Sequence, residues 1–389
     1  MSKRIKIVCY DDNPDYGGHQ VMAVLAVEAL AKSSSWQPVF FCSPGNLRLY
    51  KQLESIAAAT GNLDIRSTPF TTRKLQGLRN HFEKTAIRNL HTLIEREHPD
   101  IFLCIQGEIE DASLALCAVK PMTIPCISYI PVPHRMALMG AKFGAVRDAL
   151  NAYLFKKPDG WITISESMKM RLEERGATAP IEVVHNGINI NRFVTVNKNS
   201  ARIALGLPVE KTVIGMIGRI EFNQKQQDFL VNCFSKTWKN REQFHLVITG
   251  DGPDRASLEA LIGALRLQER VTLLPWQADS TLVYSALDLL VIPSRFEGMP
   301  LVMLEALACG IPVIGSARDG MKDLLPAAWT FEAENCAALA NVFDFVSEHW
   351  KNELPALQAE VRTEYTVEKF QHNFEAALHR FLIINHQCI

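Results

Sequence analysis

Two carboxylates mark the stretch "SRFEGMPLVMLEALACG", residues 294–310: Glu297 and Glu305, eight positions apart. Glu305 is the only charged residue between Pro300 and Gly310. At about 100° per residue it points between Leu301 and Cys309, beside Val302 and Ala308, so a helix here gives it no polar face. An ionised carboxylate in such surroundings needs hydrogen-bond donors. A salt bridge or a backbone cap from elsewhere in the fold meets that need, and so does a ligand with vicinal hydroxyls such as a ribose. Glu297 stands just before the helix, whose first turn suits Pro300. Negative charge is favoured at a helix start, and a ligand phosphate or sugar would arrive there.

Other chemistry-bearing residues follow short apolar runs. In "GRIEFNQKQQ", Arg219 and Lys225 lie six positions apart beside Gly218, ahead of a helical pattern. Two cations near a helix N-terminus make a diphosphate grip; two solvated surface charges are the plainer alternative. In "DDNPDYGGHQ", Gly17 and Gly18 permit a tight turn into a helix whose first amides suit an anion, or simply a strand-to-helix turn. The acidic start is not a calcium loop, because Tyr16 occupies the glycine position and no glutamate closes it. Gly250 opens "GDGPDR", the beginning of a dinucleotide fingerprint, but Arg255 stands where the last small residue belongs. A tight loop near a ligand is the simpler reading. Trp276 in "PWQAD" either lines a base pocket or packs. His134 in "PVPHRM" follows a proline-stiffened turn; a lone histidine is usually structural, but one in a cleft between two domains contacts substrate or handles a proton.

These residues need elements to place them. Apolar, β-branched runs alternate with longer helical patterns. In the first half they are "IKIVCY", "QPVFFCS", "DIFLCIQ", "IPCISYIP", "GWITIS" and "IEVVHNG". In the second half they are "TVIGMIGR", "FHLVITG", "RVTLLP", "LDLLVIPS" and "IPVIGS". Continuous apolar strands between helices signify parallel sheets covered on both faces. The pattern occurs twice, which predicts two doubly wound α/β domains, with the break in the polar, asparagine-rich stretch 185–208. Open α/β sheets bind ligands beyond the carboxyl ends of their strands, where all the residues above fall.

Bulk properties narrow the class. The chain has 389 residues, 48% hydrophobic and 21% charged, with a formal net charge of −1. Nothing global points to nucleic acid or a polyanion. The nine cysteines are scattered without metal-ligand spacing, so a reduced cytosolic chain is expected. "MSKRIKIVCYDD" reads as a strand rather than a secretory signal, and no uncharged apolar run reaches the roughly 18–20 residues of a membrane span.

"FEGMPLVMLEALACGIPVIGS" resembles the E-x7-E signature of retaining glycosyltransferases of family 4. "YGGH", "VVHNGINI", "GRIEFNQK", "TGDGP" and "LLPW" are similar to that family's other landmarks and come in its order, over nearly the whole chain. The resemblance implies the GT-B fold, two Rossmann-like domains facing across a cleft. It implies an acceptor-side domain at 1–190, a donor-binding domain at 191–365 and a C-terminal helix, 366–389, packed back on the first domain. Arg219 and Lys225 would neutralise the donor diphosphate, Glu305 would hold the ribose, and Glu297 would lie against the transferred sugar. The amides of Gly298, Met299, Leu301 and Val302 would contact sugar and phosphate, around Pro300, which has no N–H. Gly17 and Gly18 would approach the diphosphate, Gly250 and Trp276 would sit in later donor-side loops, and His134 would contact the sugar near the reacting carbon. Two positions depart from the family: Gln20 stands where a glutamate is common, and "NQKQQ" replaces lysine–glycine.

The implied reaction is retaining transfer from a nucleotide-diphosphate sugar to an acceptor hydroxyl, in glycan, polysaccharide or glycolipid synthesis. "EGMPLV" favours a UDP-sugar. No D-x-D appears, so no metal is expected, and the nucleotide-sugar is a co-substrate rather than a cofactor. The acceptor would be a carbohydrate or lipid-linked. Two basic stretches, 71–97 and 136–157, are candidates for docking on an anionic membrane, although a solvated helix face explains each more simply. The expected location is cytoplasmic, at the inner membrane face if they dock. A non-catalytic nucleotide-sugar sensor, a GT-B nucleotide-sugar epimerase and a nicotinamide dehydrogenase are the rival readings.

Overall fold

The computed structural model describes residues 4–238, 241–277 and 279–386. Met1 to Lys3 of the N-terminal reading and Cys388 lie outside them. The chain divides into two compact units, Met1–Asn186 with Val367–Ile389, and Gly187–Thr366.

The first unit is built on seven strands: β1 (Ile5–Asp11), β2 (Trp36–Cys42), β3 (Asp64–Ser67), β4 (Ile101–Ile105), β5 (Cys126–Tyr129), β6 (Gly160–Thr163) and β7 (Ile181–Val183). They run parallel in the order β3-β2-β1-β4-β5-β6-β7. β1 and β4 are buried along nearly their whole length, as continuous apolar strands between helical layers must be. The last helix, Val367–His386, packs on the helix Gly18–Lys32. Gln371 Nε2 donates to the Leu25 carbonyl at 2.9 Å, and Trp36 Nε1 donates to Glu375 at 2.9 Å.

The second unit holds six strands: β8 (Thr212–Ile217), β9 (Phe244–Thr249), β10 (Val271–Leu274), β11 (Leu289–Ile292), β12 (Val313–Ser316) and β13 (Thr330–Phe331). They too are parallel, ordered β10-β9-β8-β11-β12-β13. In both units the chain starts near the middle, builds one way and then crosses back. The order therefore reverses between β1 and β4, and between β8 and β11. Those are the topological switch points where such sheets take their ligands.

Two strands escape the apolar-run reading. β3 is a short, largely exposed edge strand, Asp-Ile-Arg-Ser, and β13 is two residues long. The all-reduced expectation also needs correction: Cys233 and Cys336 are bonded, their Cα atoms 5.4 Å apart across 103 residues. The fold brings the helix Gln227–Thr237 against the start of the helix Cys336–Glu364, a contact no local spacing reveals. The six other described cysteines are free. No described helix is long and apolar enough to cross a membrane.

Candidate functional site

In the second unit, the loops after β8 and β11 leave the sheet side by side at the switch point. Gly218 follows β8 and Gly250 follows β9, with φ of 148° and 149°, values that disfavour any side chain. A Cβ on Gly250 would sit 2.0 Å from the Gly218 carbonyl oxygen, so the two loops close on each other backbone to backbone. Arg219 follows with its side chain 68% exposed and its Nε 3.6 Å from Glu221. Its carbonyl accepts from Gln227 Nε2 at 2.8 Å, and the Lys225 amide donates to the Glu221 carbonyl at 2.8 Å. The loop thus curls before the helix Gln227–Thr237 begins. Lys225 sits two residues ahead of that helix.

The β8 and β11 loops are laced together. The Arg295 amide donates to the Gln224 carbonyl at 2.8 Å, and Gln224 Nε2 reaches the Phe296 carbonyl at 3.4 Å. This lacing sets Lys225 Nζ 2.5 Å from Glu297 Oε1, with the lysine side chain 21% exposed and the glutamate 7%. The two residues taken separately from sequence as diphosphate and sugar ligands are therefore an ion pair. The Glu297 amide donates to Asp319 Oδ2 at 2.9 Å, and the Gly320 amide donates to the Gly298 carbonyl at 2.8 Å, tying in the segment after β12. Asp319 has φ of 51°, a left-handed conformation that aspartate tolerates better than most residues.

The helix Leu301–Ala308 starts one residue later than the sequence suggests: Pro300 is its cap, at φ −62° and ψ 122°, and Leu301 is the first helical residue. The amides of Leu301 and Val302 belong to the first turn, which has no intrahelical partners for them. Met299 is buried at the approach. Further along, the Tyr284 hydroxyl donates to Glu305 Oε2 at 2.6 Å. Burial raises the Glu305 carboxyl above its ordinary range, while Tyr284 and the charge of Arg192 pull it back. The donor that the apolar helix demanded is thus a tyrosine hydroxyl from the helix Thr281–Ala286. Tyr284 and Asp319 escaped the sequence reading: neither lies in the loops after β8 or β11, and nothing local marks them.

The remaining sequence candidates are more dispersed. Trp276 follows edge strand β10, with β9 between it and β8; its ring is largely exposed, and its amide donates to Asp251 Oδ2 at 3.0 Å. His134 is buried in the first unit, after β5. Gly17 and Gly18 lie at the start of the long helix after β1, and the space beside Gly18 is open. Gln20, at the position where a glutamate was expected, accepts from the Gly17 amide at 2.6 Å and donates to the Asp15 carbonyl at 3.1 Å. It caps the helix, a task an amide performs without adding charge.

The switch point of the first unit carries a group the sequence missed. Asp11, Asp12 and Asp111 are buried where β1 and β4 end, with Glu108 beside them. Burial raises all four carboxyls, Asp111 to about 7 and Glu108 to about 8, with neighbouring carboxylates adding to both. Asp111 Oδ2 accepts from the amides of Gly107 and Glu108, each at 3.1 Å. His19 Nε2 lies 3.8 Å from Asp11 Oδ2, and burial lowers the imidazole to about 3, so it is neutral there.

This cluster predicts a pH signature. A carboxyl raised on folding stabilises most below its unfolded value near 4 and loses that contribution as pH rises through its folded value. The lowered His19 and His245 work the other way, but only below about 6.5. Between pH 6.5 and 7.5, above the histidine range and below the range where the buried thiols begin to count, the carboxyls dominate, and the melting temperature is expected to fall. Asp111→Asn keeps an acceptor for the two amides and is expected to flatten that fall. Calorimetric melting across the window checks both.

Comparisons with known proteins follow this division. Residues 16–192 match the family model "Glycosyltransferase Family 4", and residues 211–347 match "Glycosyl transferases group 1". The D-inositol 3-phosphate glycosyltransferase of Mycobacterium leprae is 34% identical over 167 residues, 41% of this chain and 38% of the relative. That of Mycobacterium tuberculosis is 36% identical over 151 residues, 37% and 30% of the two chains. The chain thus spans well under half the length of the curated relatives it matches. Among solved structures, Anabaena HepE in complex with UDP and glucose superposes with a TM-score of 0.77 at 18% identity, over 97% of this chain and all of that one. A sucrose-phosphate synthase from Thermosynechococcus elongatus gives 0.75 at 19%, over 98% of this chain and 100% of its own. With a glycosyltransferase family match on each unit and a parallel α/β sheet in each, the chain belongs to the glycosyltransferases of the GT-B fold.

Proposed function

We propose that this protein transfers a sugar from a UDP-sugar to an acceptor hydroxyl with retention of anomeric configuration and without a metal ion. The observation that carries the reading is the pairing of Lys225 with Glu297 at the second unit's switch point. The HepE complexes with UDP and with UDP-glucose support the choice of donor.

In this account the bond from the anomeric carbon to the diphosphate oxygen breaks, and the acceptor oxygen attacks from the same face. The acceptor proton passes to the departing phosphate. Charge accumulates on the diphosphate, and Lys225 and Arg219 offset it, which is electrostatic stabilisation by groups already in position. An ammonium has three donors, and Glu297 takes one of them, so Lys225 bridges sugar-side carboxylate and phosphate. The first-turn amides of Leu301 and Val302 add the helix dipole. Glu305, with one oxygen held by Tyr284, presents the other to the ribose hydroxyls. The acceptor is a polyhydroxylated sugar or polyol, free or lipid-linked, as in glycan and glycolipid assembly.

The Glu305 assignment has a direct test. Glu305→Gln keeps the size and the contact with Tyr284 but replaces a charge-assisted hydrogen bond with a neutral one. UDP affinity is expected to fall about tenfold, whereas 2′,3′-dideoxy-UDP, weak already, is expected to bind wild type and variant alike. Equal losses for both nucleotides would place Glu305 away from the ribose.

A further inference from the structure

The helix Gly144–Asn151 is amphipathic the wrong way round. Its inward face is polar. Asp148 accepts from the amides of Met136 at 2.9 Å and Ala137 at 3.2 Å and pairs with Arg175 at 2.7 Å. Arg147 and Asn151 both reach Glu110, at 2.7 and 2.8 Å. Its outward face is apolar: Val146 is 58% exposed, Ala145 and Ala149 are exposed, and Phe143 just before the helix is 69% exposed. A surface helix ordinarily turns its apolar stripe inward. This one pairs its buried carboxylate and arginine, with Asn151 Oδ1 left over, and leaves the apolar stripe uncovered.

A second segment adjoins it. The short helix Gln76–Arg79 packs on Gly144–Asn151, the Tyr153 hydroxyl donates to the Gly77 carbonyl at 2.9 Å, and the His81 and Tyr153 rings lie 4.8 Å apart. This segment exposes Phe82 at 78% and Leu75 at 37%. The two basic stretches that are far apart in sequence therefore form neighbouring parts of one surface. The helix Lys84–Glu95 is different: it buries Leu90 and Ile94, in the ordinary way.

Charge completes the picture. Residues 73–88 carry five cations and one carboxylate, and residues 135–157 carry the same numbers, in a chain of net charge −1. Both carboxylates are spent on ion pairs, Glu83 with Arg73 and Arg79, and Asp148 with Arg175. Lysines flank the apolar stripe at either end: Lys142 lies over the Phe143 ring at 5.5 Å and Lys157 over Tyr153 at 5.7 Å. Scattered exposed apolar side chains carry no message, but a group of them rimmed by cations does.

We propose that this face of the first unit docks on an anionic lipid bilayer, with Phe143, Val146 and Phe82 entering the headgroup boundary and the flanking lysines and arginines meeting lipid phosphates. The surface belongs to the first unit alone, and the inference does not rest on the sugar-transfer reading. The test is flotation of the full chain with phosphatidylcholine vesicles and with phosphatidylcholine–phosphatidylglycerol vesicles, at low and high salt. Wild type is expected to float with the anionic vesicles at low salt only. Two variants, Phe143→Ser with Val146→Ser and Lys74→Gln with Lys84→Gln, are each expected to reduce the bound fraction about tenfold. Their melting temperatures and UDP binding are expected to match wild type, because none of these residues supports the core or the second unit. Failure of wild type to float would overturn the proposal, as would binding indifferent to both variants. So would a wild-type dimer that the Phe143 and Val146 changes dissociate in sedimentation while vesicle binding stays the same, since the face would then serve a second copy of the chain.

Discussion

Lys225→Ala is expected to lower the rate of sugar transfer by about 10²–10³, with the fold of both units kept. The size follows from what the ammonium does. It is the cation set deepest at the switch point, 2.5 Å from Glu297 and mostly out of water, where its field is weakly screened. Charge on the departing diphosphate grows along the reaction, so the loss falls on kcat as well as on donor affinity. Removing Lys225 also leaves Glu297 without its partner beside the phosphate, which adds repulsion to lost attraction. Lys225→Arg keeps the charge but not the compact ammonium, and is expected to recover part of the rate. Arg219 is far more exposed, and Arg219→Ala is expected to cost less. Steady-state kinetics on the three variants, with circular dichroism to confirm folding, decides the matter. A Lys225→Ala enzyme within a fewfold of wild type would remove the lysine from the diphosphate.

Gly250→Ala is expected to destabilise the second unit severely. The added Cβ meets the Gly218 carbonyl oxygen at 2.0 Å, and that oxygen belongs to backbone rather than to a side chain that can swing away. The φ of 149° adds strain of its own. Together these are worth about 2–4 kcal/mol, a large share of an ordinary domain's stability. Because Gly218 begins the Arg219–Lys225 loop, any relief by backbone movement displaces the cations. The expected result is a lower melting temperature for the second unit and, at temperatures where the protein stays folded, weaker UDP binding. Gly18→Ala is the control: open space surrounds that position, and little change in melting is expected.

The parallel sheets were legible because buried strands must be apolar on both faces, and β1, β4, β8, β9 and β11 all read so. β3 and β13 were not legible, since an edge strand of polar residues and a two-residue strand carry no periodic signal. The candidate site was legible to the extent that it follows strand ends: Gly218, Arg219, Lys225 and Glu297 all lie in loops at the second switch point. Their partnerships were not. Lys225 and Glu297 are 72 residues apart, and only the neighbouring placement of β8 and β11 joins them. Glu305 was marked by its apolar surroundings, but the tyrosine that answers it comes from another helix. Asp11 and Asp12 passed as part of a rejected calcium loop and Asp111 drew no reading, because burial at a strand end is a property of the assembled sheet. The Cys233–Cys336 bond was missed for the same reason.

The central claim is that the loops after β8 and β11 hold a nucleoside diphosphate without a metal ion. Calorimetric titration of UDP into the protein, in buffer containing a strong chelator and beside GDP and ADP, tests it most directly. The account predicts one UDP per chain, tighter than either purine nucleotide, with affinity falling about tenfold or more in Lys225→Ala. No binding of any nucleotide under chelation, or UDP binding that Lys225→Ala leaves unchanged, would contradict it.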